Sequence, residues 1–214
     1  MTYGFLTAEN ALIWRIVRRS DVPSLIRDGL YSGNHVTPDD NYKTIGNEDL
    51  IKKRNTRPVP IGSGGVLNDY VPFYFTPFSP MMYNIHTGHG GIKKVDNEEI
   101  VILVSNLNKL KNDSVDLVFT DRHAYMSYAE FYSDLQHLDQ IDWGILQERD
   151  FQYDINDLKK MERYQAEALI YRHLPIVQLD AILCYSENVK IEIEDCLSQH
   201  GIDMTVVVAK NRYF

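Results

Sequence analysis

The sequence predicts an α+β protein, and three observations carry that reading. Short runs of β-branched and aromatic residues alternate with segments of helical character. Their spacing lacks the regular strand–helix–strand repeat of a doubly wound sheet. The chain of 214 residues is long enough for one well-cored domain, with no internal repeat or low-complexity linker to divide it. Residues 1–214 are therefore expected to form a single domain.

The elements follow in order. "ALIWRIV" (11–17) reads as a strand, with little helical spacing among its apolar residues. "SDVPSLIRDGL" reads as a short helix: Ser20 or Asp21 caps it, Pro23 sits in its first turn and Gly29 ends it. "GNEDLIKKR" is a second short helix opened by Asn47, with Glu48 and Asp49 at the favourable end of its dipole. The loop "RPVPIGSGGVLNDY" leads into a strand, "YVPFYFT" (70–76). "PFSPMMYNIHTGHGG" reads as irregular because of its two prolines and three glycines.

"EEIVILVSN" (98–106) is a buried strand and "VDLVFTD" (115–121) another. In "RHAYMSYAEFYSDL" (122–135), Tyr125, Tyr128, Phe131, Tyr132 and Leu135 fall near helical spacing, and core packing is the usual reason for such a stripe. "AEALIY" and "LDAILCY" (179–185) read as strands. "SENVKIEIEDCLSQH" is a helix capped by Ser186, and "DMTVVVAK" closes the chain as a strand.

Composition narrows the function. Hydrophobic content of 44% and charged content of 24% are ordinary for a globular protein. No apolar run reaches membrane-spanning length, and the N-terminus lacks a signal-peptide layout, so a cytoplasmic location without a membrane partner is expected. Cys184 and Cys196 form neither a CxxC nor a zinc spacing, so a disulfide framework is not expected. The net charge of −8 argues against a broad duplex-DNA surface. It is unevenly spread: residues 1–57 hold 9 Lys and Arg against 7 Asp and Glu, the remainder 13 against 23. Arg15, Arg18 and Arg19 form one basic cluster and Lys52, Lys53, Arg54 and Arg57 another. A basic groove on an acidic body suits a phosphate-bearing small molecule or a short single strand. Solvated surface charge is the plainer alternative.

Most familiar motifs are absent. "GSGGVL" has neither the GxGxxG spacing nor a Walker lysine. His86 and His89 lack matching ligands, so no metal is expected. There is no GxSxG. His123 follows a strand, where it can serve as general base, ligand contact or helix-start residue. Glu167 in "ERYQAEALIY" is more informative. On a strand over 164–171, Tyr164, Ala166, Ala168 and Ile170 share one face, and Gln165, Glu167, Leu169 and Tyr171 the other. A carboxylate on a rigid strand can hold a hydroxyl and stabilise developing positive charge. On pattern alone an ion-pair partner of Arg163 or Arg172 at the strand mouth is the plainer reading, since structural ion pairs are common.

Several stretches together resemble one family. "ALIWRIVRRSDVPSLIRDGL", "IGNEDLIKKR", "PVPIGSGGVLNDYVPFYFTPFSPMMYNIH", "EEIVILVS", "VFTDRHAY", "LDQIDW", "RYQAEALIY" and "ILCYSE" run in order over about residues 11–187. They are similar to DarT, the DNA ADP-ribosyltransferase toxins of bacterial toxin–antitoxin pairs. The resemblance implies an ADP-ribosyltransferase fold, with two facing antiparallel sheets around an NAD cleft and helices decorating them. It implies transfer of ADP-ribose from NAD⁺ onto a base of single-stranded DNA, most nearly thymidine, without a metal. It also implies a partner, a macrodomain antitoxin (DarG-like) that removes the modification. Action on protein, simple NAD⁺ hydrolysis, or a non-catalytic single-strand-binding module are the rival readings.

The residues matching the family's essential acid, arginine and histidine are Glu167, Arg54 and His123. The implied NAD⁺ contacts are Arg15, Ile16, Asp21, Leu30, Arg54 and Tyr74; the implied DNA contacts are Lys52, Lys53, Arg57, Tyr70, Phe78, Met81 and Gln165. One departure stands out. Family members often carry His-x-Thr in the first strand and Asp-Asn opening the next helix, where this chain has Arg15-x-Val17 and Ser20-Asp21.

Overall fold

The computed structural model describes residues 2–35 and 52–214. Its central element is a mixed eight-stranded sheet in two halves. Strand β1 (Leu12–Arg18) pairs antiparallel along its whole length with β4 (Ile100–Asn106). Residues 100–105 are all buried, which is why β4 reads as an unbroken apolar run. Strand β9 (Ala181–Cys184) extends this half, and β10 (Thr205–Val208) forms its edge. A helix over Glu187–Gln199 carries the chain from β9 to β10, so those two strands run parallel. They depart from the all-antiparallel expectation.

The second half contains β3 (Tyr70–Tyr74), β7 (Glu167–Tyr171), β5 (Leu117–Thr120) and β6 (Phe131–Tyr132), all antiparallel. The halves meet between β1 and β3 at one register pair, Trp14 opposite Tyr74. Pro72 explains the weak seam. The N–H and C=O of a strand residue point to the same side, and the Pro72 carbonyl accepts from Arg15 Nη1 at 2.8 Å, on the β1 side. The donor that proline lacks is therefore missing from the seam, and β3–β7 pairing stays intact. A separate ribbon joins β2 (Leu30–Tyr31) to β8 (His173–Leu174).

Two apolar clusters cover the sheet. The larger runs from β1 and β4 to Phe73, Ala168 and Ile170 in the second half. The smaller lies on the opposite face of that half: Val59, Leu67, Tyr70, Val118, Ala124 and Leu169. Each fully buried aliphatic contributes roughly 1.5–3 kcal/mol. This small cluster is therefore enough to press the loops carrying Val59 and Ala124 onto the strand bearing Glu167.

Three local expectations change. The first helix, Val22–Asp28, starts where expected, but neither Ser20 nor Asp21 caps it with a side chain. Ser20 Oγ instead donates to the Asp21 carboxylate, and Ser24 Oγ donates to the Asp21 carbonyl. "PFSPMMYNIHTGHGG" is not irregular: Pro80–Thr87 is a helix. Ser79 Oγ accepts from the Met82 N–H, Pro80 occupies the first turn where its missing N–H costs nothing, and left-handed Gly88 ends it. The stripe over 122–135 is not a helix face. Tyr128 is 40% exposed, while Ala124 and Ala129 are the buried residues. The segment is a loop closed by β6, because Asp121 Oδ1 accepts from the Glu130 N–H at 3.0 Å. The helix expected at Asn47 lies outside the described residues, although residues 52–54 are helical.

Gly29 ends the first helix at φ +79°, ψ −168°, a conformation essentially reserved for glycine. A Cβ there would meet His173 Nε2 and the Leu174 carbonyl at 2.6 Å each. Gly29→Ala is expected to cost about 2–3 kcal/mol and lower Tm by roughly 4–12 °C. Differential scanning calorimetry measures it; an unchanged Tm would refute the account. No helix among the described residues is long and apolar enough to cross a membrane.

Candidate active site

Glu167 opens β7 and is 1% exposed. Three donors reach it. Arg54 Nη1 donates to Oε2 at 2.8 Å. His123 Nδ1 lies 3.1 Å from Oε1, and the Ala124 N–H donates to Oε1 at 3.0 Å. The loop after β5 delivers the last two. Thr120 Oγ1 accepts from the Glu167 N–H at 3.2 Å and donates to the Arg122 carbonyl at 2.6 Å, which turns the chain so that residues 123 and 124 face the acid. The His123 N–H donates to the Glu162 carbonyl, so the loop is also tied to the segment leading into β7.

His123 Nδ1 also lies 3.3 Å from the Tyr125 N–H. One nitrogen cannot donate to a carboxylate and accept from an amide at once. The shorter contact to a charged acceptor prevails, because a lone pair aimed at Oε1 would set acceptor against acceptor. The ring then carries a proton on Nδ1, and in the neutral imidazole Nε2 is the acceptor.

Burial pushes the Glu167 carboxyl up, but the Arg54 guanidinium and the His123 hydrogen bond outweigh it and hold the acid at about 2. Tyr74 stands opposite Glu167 in the β3–β7 register. Burial first, and the Glu167 charge second, push its hydroxyl up. A buried ion pair adds little net stability, since each ion loses several kcal/mol of hydration. Stability alone is thus a poor reason for an Arg–Glu pair here. Arg54 Nη2 is buried and has no hydrogen-bond partner among the described residues. Arg15 Nε, beside the β1–β3 seam, is in the same condition.

The structure brings Arg54, His123, Tyr74 and Glu167 together. Neither Arg163 nor Arg172 pairs with Glu167: Arg163 holds Asp142 and Asp157, and Arg172 lies over the Tyr171 ring. Ile16 and Leu30 commit their side chains to the core, so what they offer a ligand is backbone. Asp21 is buried. Lys52 and Lys53 are exposed, and Met81 is partly so.

Four of the expected DNA contacts are used otherwise. Phe78 is fully buried, with the Arg149 guanidinium 4.0 Å above its ring. Tyr70 is buried and donates its hydroxyl to the Gly64 carbonyl. Neither presents a face on which a base can stack. The Arg57 guanidinium donates to main-chain carbonyls of the 124–127 loop. Gln165 does not share a strand face with Glu167, because β7 begins two residues later; its amide donates to the Met161 carbonyl. Sequence reasoning missed Thr120, although "FTD" was visible beside His123. It missed the Ala124 N–H because a backbone donor leaves no mark in a sequence. Among the described residues no cluster of three or more His, Cys, Asp or Glu is placed to hold a metal.

A sheet parted at one seam, with a charged glutamate opening the second strand beyond it, is the architecture of an ADP-ribosyltransferase. Residues 14–214 match the family model described as "ssDNA thymidine ADP-ribosyltransferase, DarT". A DNA ADP-ribosyl transferase of Escherichia coli O127:H6 is 54% identical over 217 residues, covering 100% of both chains. DarT of Thermus sp. 2.9 in complex with ADP-ribosylated ssDNA superposes with a TM-score of 0.87 at 31% identity, covering 96% of this chain and 97% of that one. The NAD⁺ complex of the Thermus enzyme gives a TM-score of 0.83 at 31% identity, over 96% and 98% of the two chains. The chain belongs to the DarT family of DNA ADP-ribosyltransferases.

Proposed function

We propose that this protein transfers ADP-ribose from NAD⁺ to thymidine in single-stranded DNA, with Glu167 as its essential acid. The observation that supports this most is the Glu167–Arg54 pair: a buried carboxylate charged at neutral pH, gripped by a guanidinium whose Nη2 has no partner among the described residues. Arg15 Nε, a buried donor with no partner among the described residues, suits an anionic dinucleotide at the seam. Arg15, Tyr74, Asp21 and the backbone at Ile16 and Leu30 would hold it. Bound there, NAD⁺ supplies the ADP-ribosyl group, with positive charge growing on its ribose as the bond to nicotinamide breaks.

Glu167 stabilises that charge and accepts a ribose hydroxyl hydrogen bond. No acid is required for the leaving group, because the nicotinamide nitrogen is already cationic in NAD⁺ and departs neutral. The thymine ring nitrogen loses its proton and forms the new bond to the ribose carbon. His123 Nε2 is the acceptor for that proton. Arg54 works beside Glu167, since its nitrogen without a partner among the described residues belongs to the guanidinium that grips that acid. Its charge stabilises the thymine anion. A base must be unstacked to reach such a site, which favours a single strand. Lys52, Lys53 and Met81 are the side chains we assign to it, since all three retain exposure. The family role adds a toxin function in the cytoplasm and a macrodomain antitoxin as partner.

Incubation with NAD⁺ and a panel of oligonucleotides and proteins tests the assignment. The mass of one ADP-ribosyl group is expected on thymidine of a single-stranded oligonucleotide. Mass gain on protein alone, or nicotinamide release with no adduct, would overturn it.

A further inference from the structure

The basic segment 52–57 holds a second arginine whose work differs from that of its neighbours. Lys52 and Lys53 are exposed, whereas Arg57 is half-buried. Its guanidinium reaches three residues of the loop that follows β5. Nη2 donates to the Met126 carbonyl at 2.8 Å and to the Ser127 carbonyl at 3.3 Å, and Nε lies 3.5 Å from the Ala124 carbonyl. Its carbon Cζ stands 6.0 Å from the centre of the Phe131 ring, at the far end of the same loop. Its own carbonyl accepts from the Leu67 N–H at 2.9 Å, which anchors the arginine to the apolar cluster beneath.

The loop it holds contains the two groups that grip Glu167 Oε1, the His123 ring and the Ala124 N–H. Three residues earlier, Arg54 grips Oε2. One short segment thus controls both carboxylate oxygens: directly through Arg54, and at one remove through Arg57. A guanidinium suits this task because its planar fork serves several carbonyls at once, while an ammonium acts as a point charge. The arrangement also leaves Arg57 poorly disposed toward a bidentate phosphate contact, since Nη2, which both edges of the fork would use, is already given to carbonyls.

We infer that Arg57 is a positioning residue for the transfer reaction, setting the 123–127 loop so that His123 and Ala124 meet Glu167, and is not a DNA-phosphate ligand. The inference rests on the assignment of Glu167 and His123 to the reaction. Misplacing reacting groups by about 1 Å costs on the order of 100-fold in rate. Arg57→Ala and Arg57→Lys are compared with the wild-type protein for kcat, for KM toward a single-stranded thymidine oligonucleotide at several salt concentrations, and for Tm.

The expected result is a fall of roughly 10- to 100-fold in kcat in both variants, with KM and its salt dependence close to wild type. A raised KM and a shallower salt slope in Arg57→Ala, with Arg57→Lys near normal, would mean a phosphate contact and overturn the inference. A lower Tm with unchanged kcat per folded molecule would mean a merely structural role and overturn it too. If Arg57→Ala does not fold, the lysine variant decides, because it keeps the charge and most of the packing. Failure of the wild-type protein to modify any oligonucleotide would strike the functional assignment itself, a result distinct from either outcome for Arg57.

Discussion

Glu167→Gln is expected to abolish ADP-ribose transfer and to destabilise the protein as well. The substitution keeps the shape but not the hydrogen bonding. Glu167 accepts from Arg54, His123 and the Ala124 N–H, so both of its oxygens face donors. A glutamine has one oxygen and an NH₂ group, and whichever way it turns, that NH₂ meets a donor. Arg54, with a side chain only 9% exposed, also loses its counter-charge. Removing one partner of a buried pair costs about 3–5 kcal/mol, or roughly 6–20 °C in Tm for a chain of this size. Rates must therefore be taken per folded molecule, by active-fraction titration alongside mass spectrometry of the oligonucleotide. Wild-type transfer by the folded fraction would remove Glu167 from the mechanism.

Arg54→Ala is the second large effect. Loss of one pre-aimed donor at a reacting centre costs about 10²–10³ in kcat. The variant also shifts a titration. In the wild type, burial raises the Glu167 carboxyl, and Arg54 is foremost among the groups that lower it, to about 2. Without Arg54 that opposition is gone and the carboxyl moves upward. The acid limb of the rate profile should therefore lie at higher pH in the variant. Stability follows the same sign. A carboxyl depressed in the folded state adds stability above its ordinary value of 4.5, and this is lost as pH falls toward about 2. The stability gap between wild type and Arg54→Ala should accordingly narrow below pH 4.5. Calorimetry with NAD⁺ places the arginine: preserved affinity fits a role on the acceptor side, and a large loss would move it to the dinucleotide.

Much of this was legible in the chain. The strands at β1, β4, β7, β9 and β10 announce themselves through dense β-branched and apolar runs, and Ser186 marks the last helix with a cap. The helix over Pro80–Thr87 carries legible marks too, because the residues that look like breakers, Pro80 and Gly88, are its first turn and its terminator. The stripe at 122–135 misled in the opposite direction. Helical spacing among five side chains is weak evidence when a backbone turn, here closed by Asp121, can serve the same segment.

Local chemistry in the sequence determined where the main strands lie, the proline at the seam, the cationic segment at 52–57 and the carboxylate at the head of β7. Those properties depend on neighbours a few residues apart. Only the tertiary structure decided who meets whom. Arg54 and Glu167 lie 113 positions apart in the chain, and their 2.8 Å contact exists because the 54–70 segment folds over the face of β7. Burial decided the rest. It turned Phe78 and Tyr70 from candidate stacking surfaces into core, while the carbonyls of the 124–127 loop claimed Arg57. It also made the Glu167 charge depend on two partners, because a buried charge is stable only where donors from several segments converge.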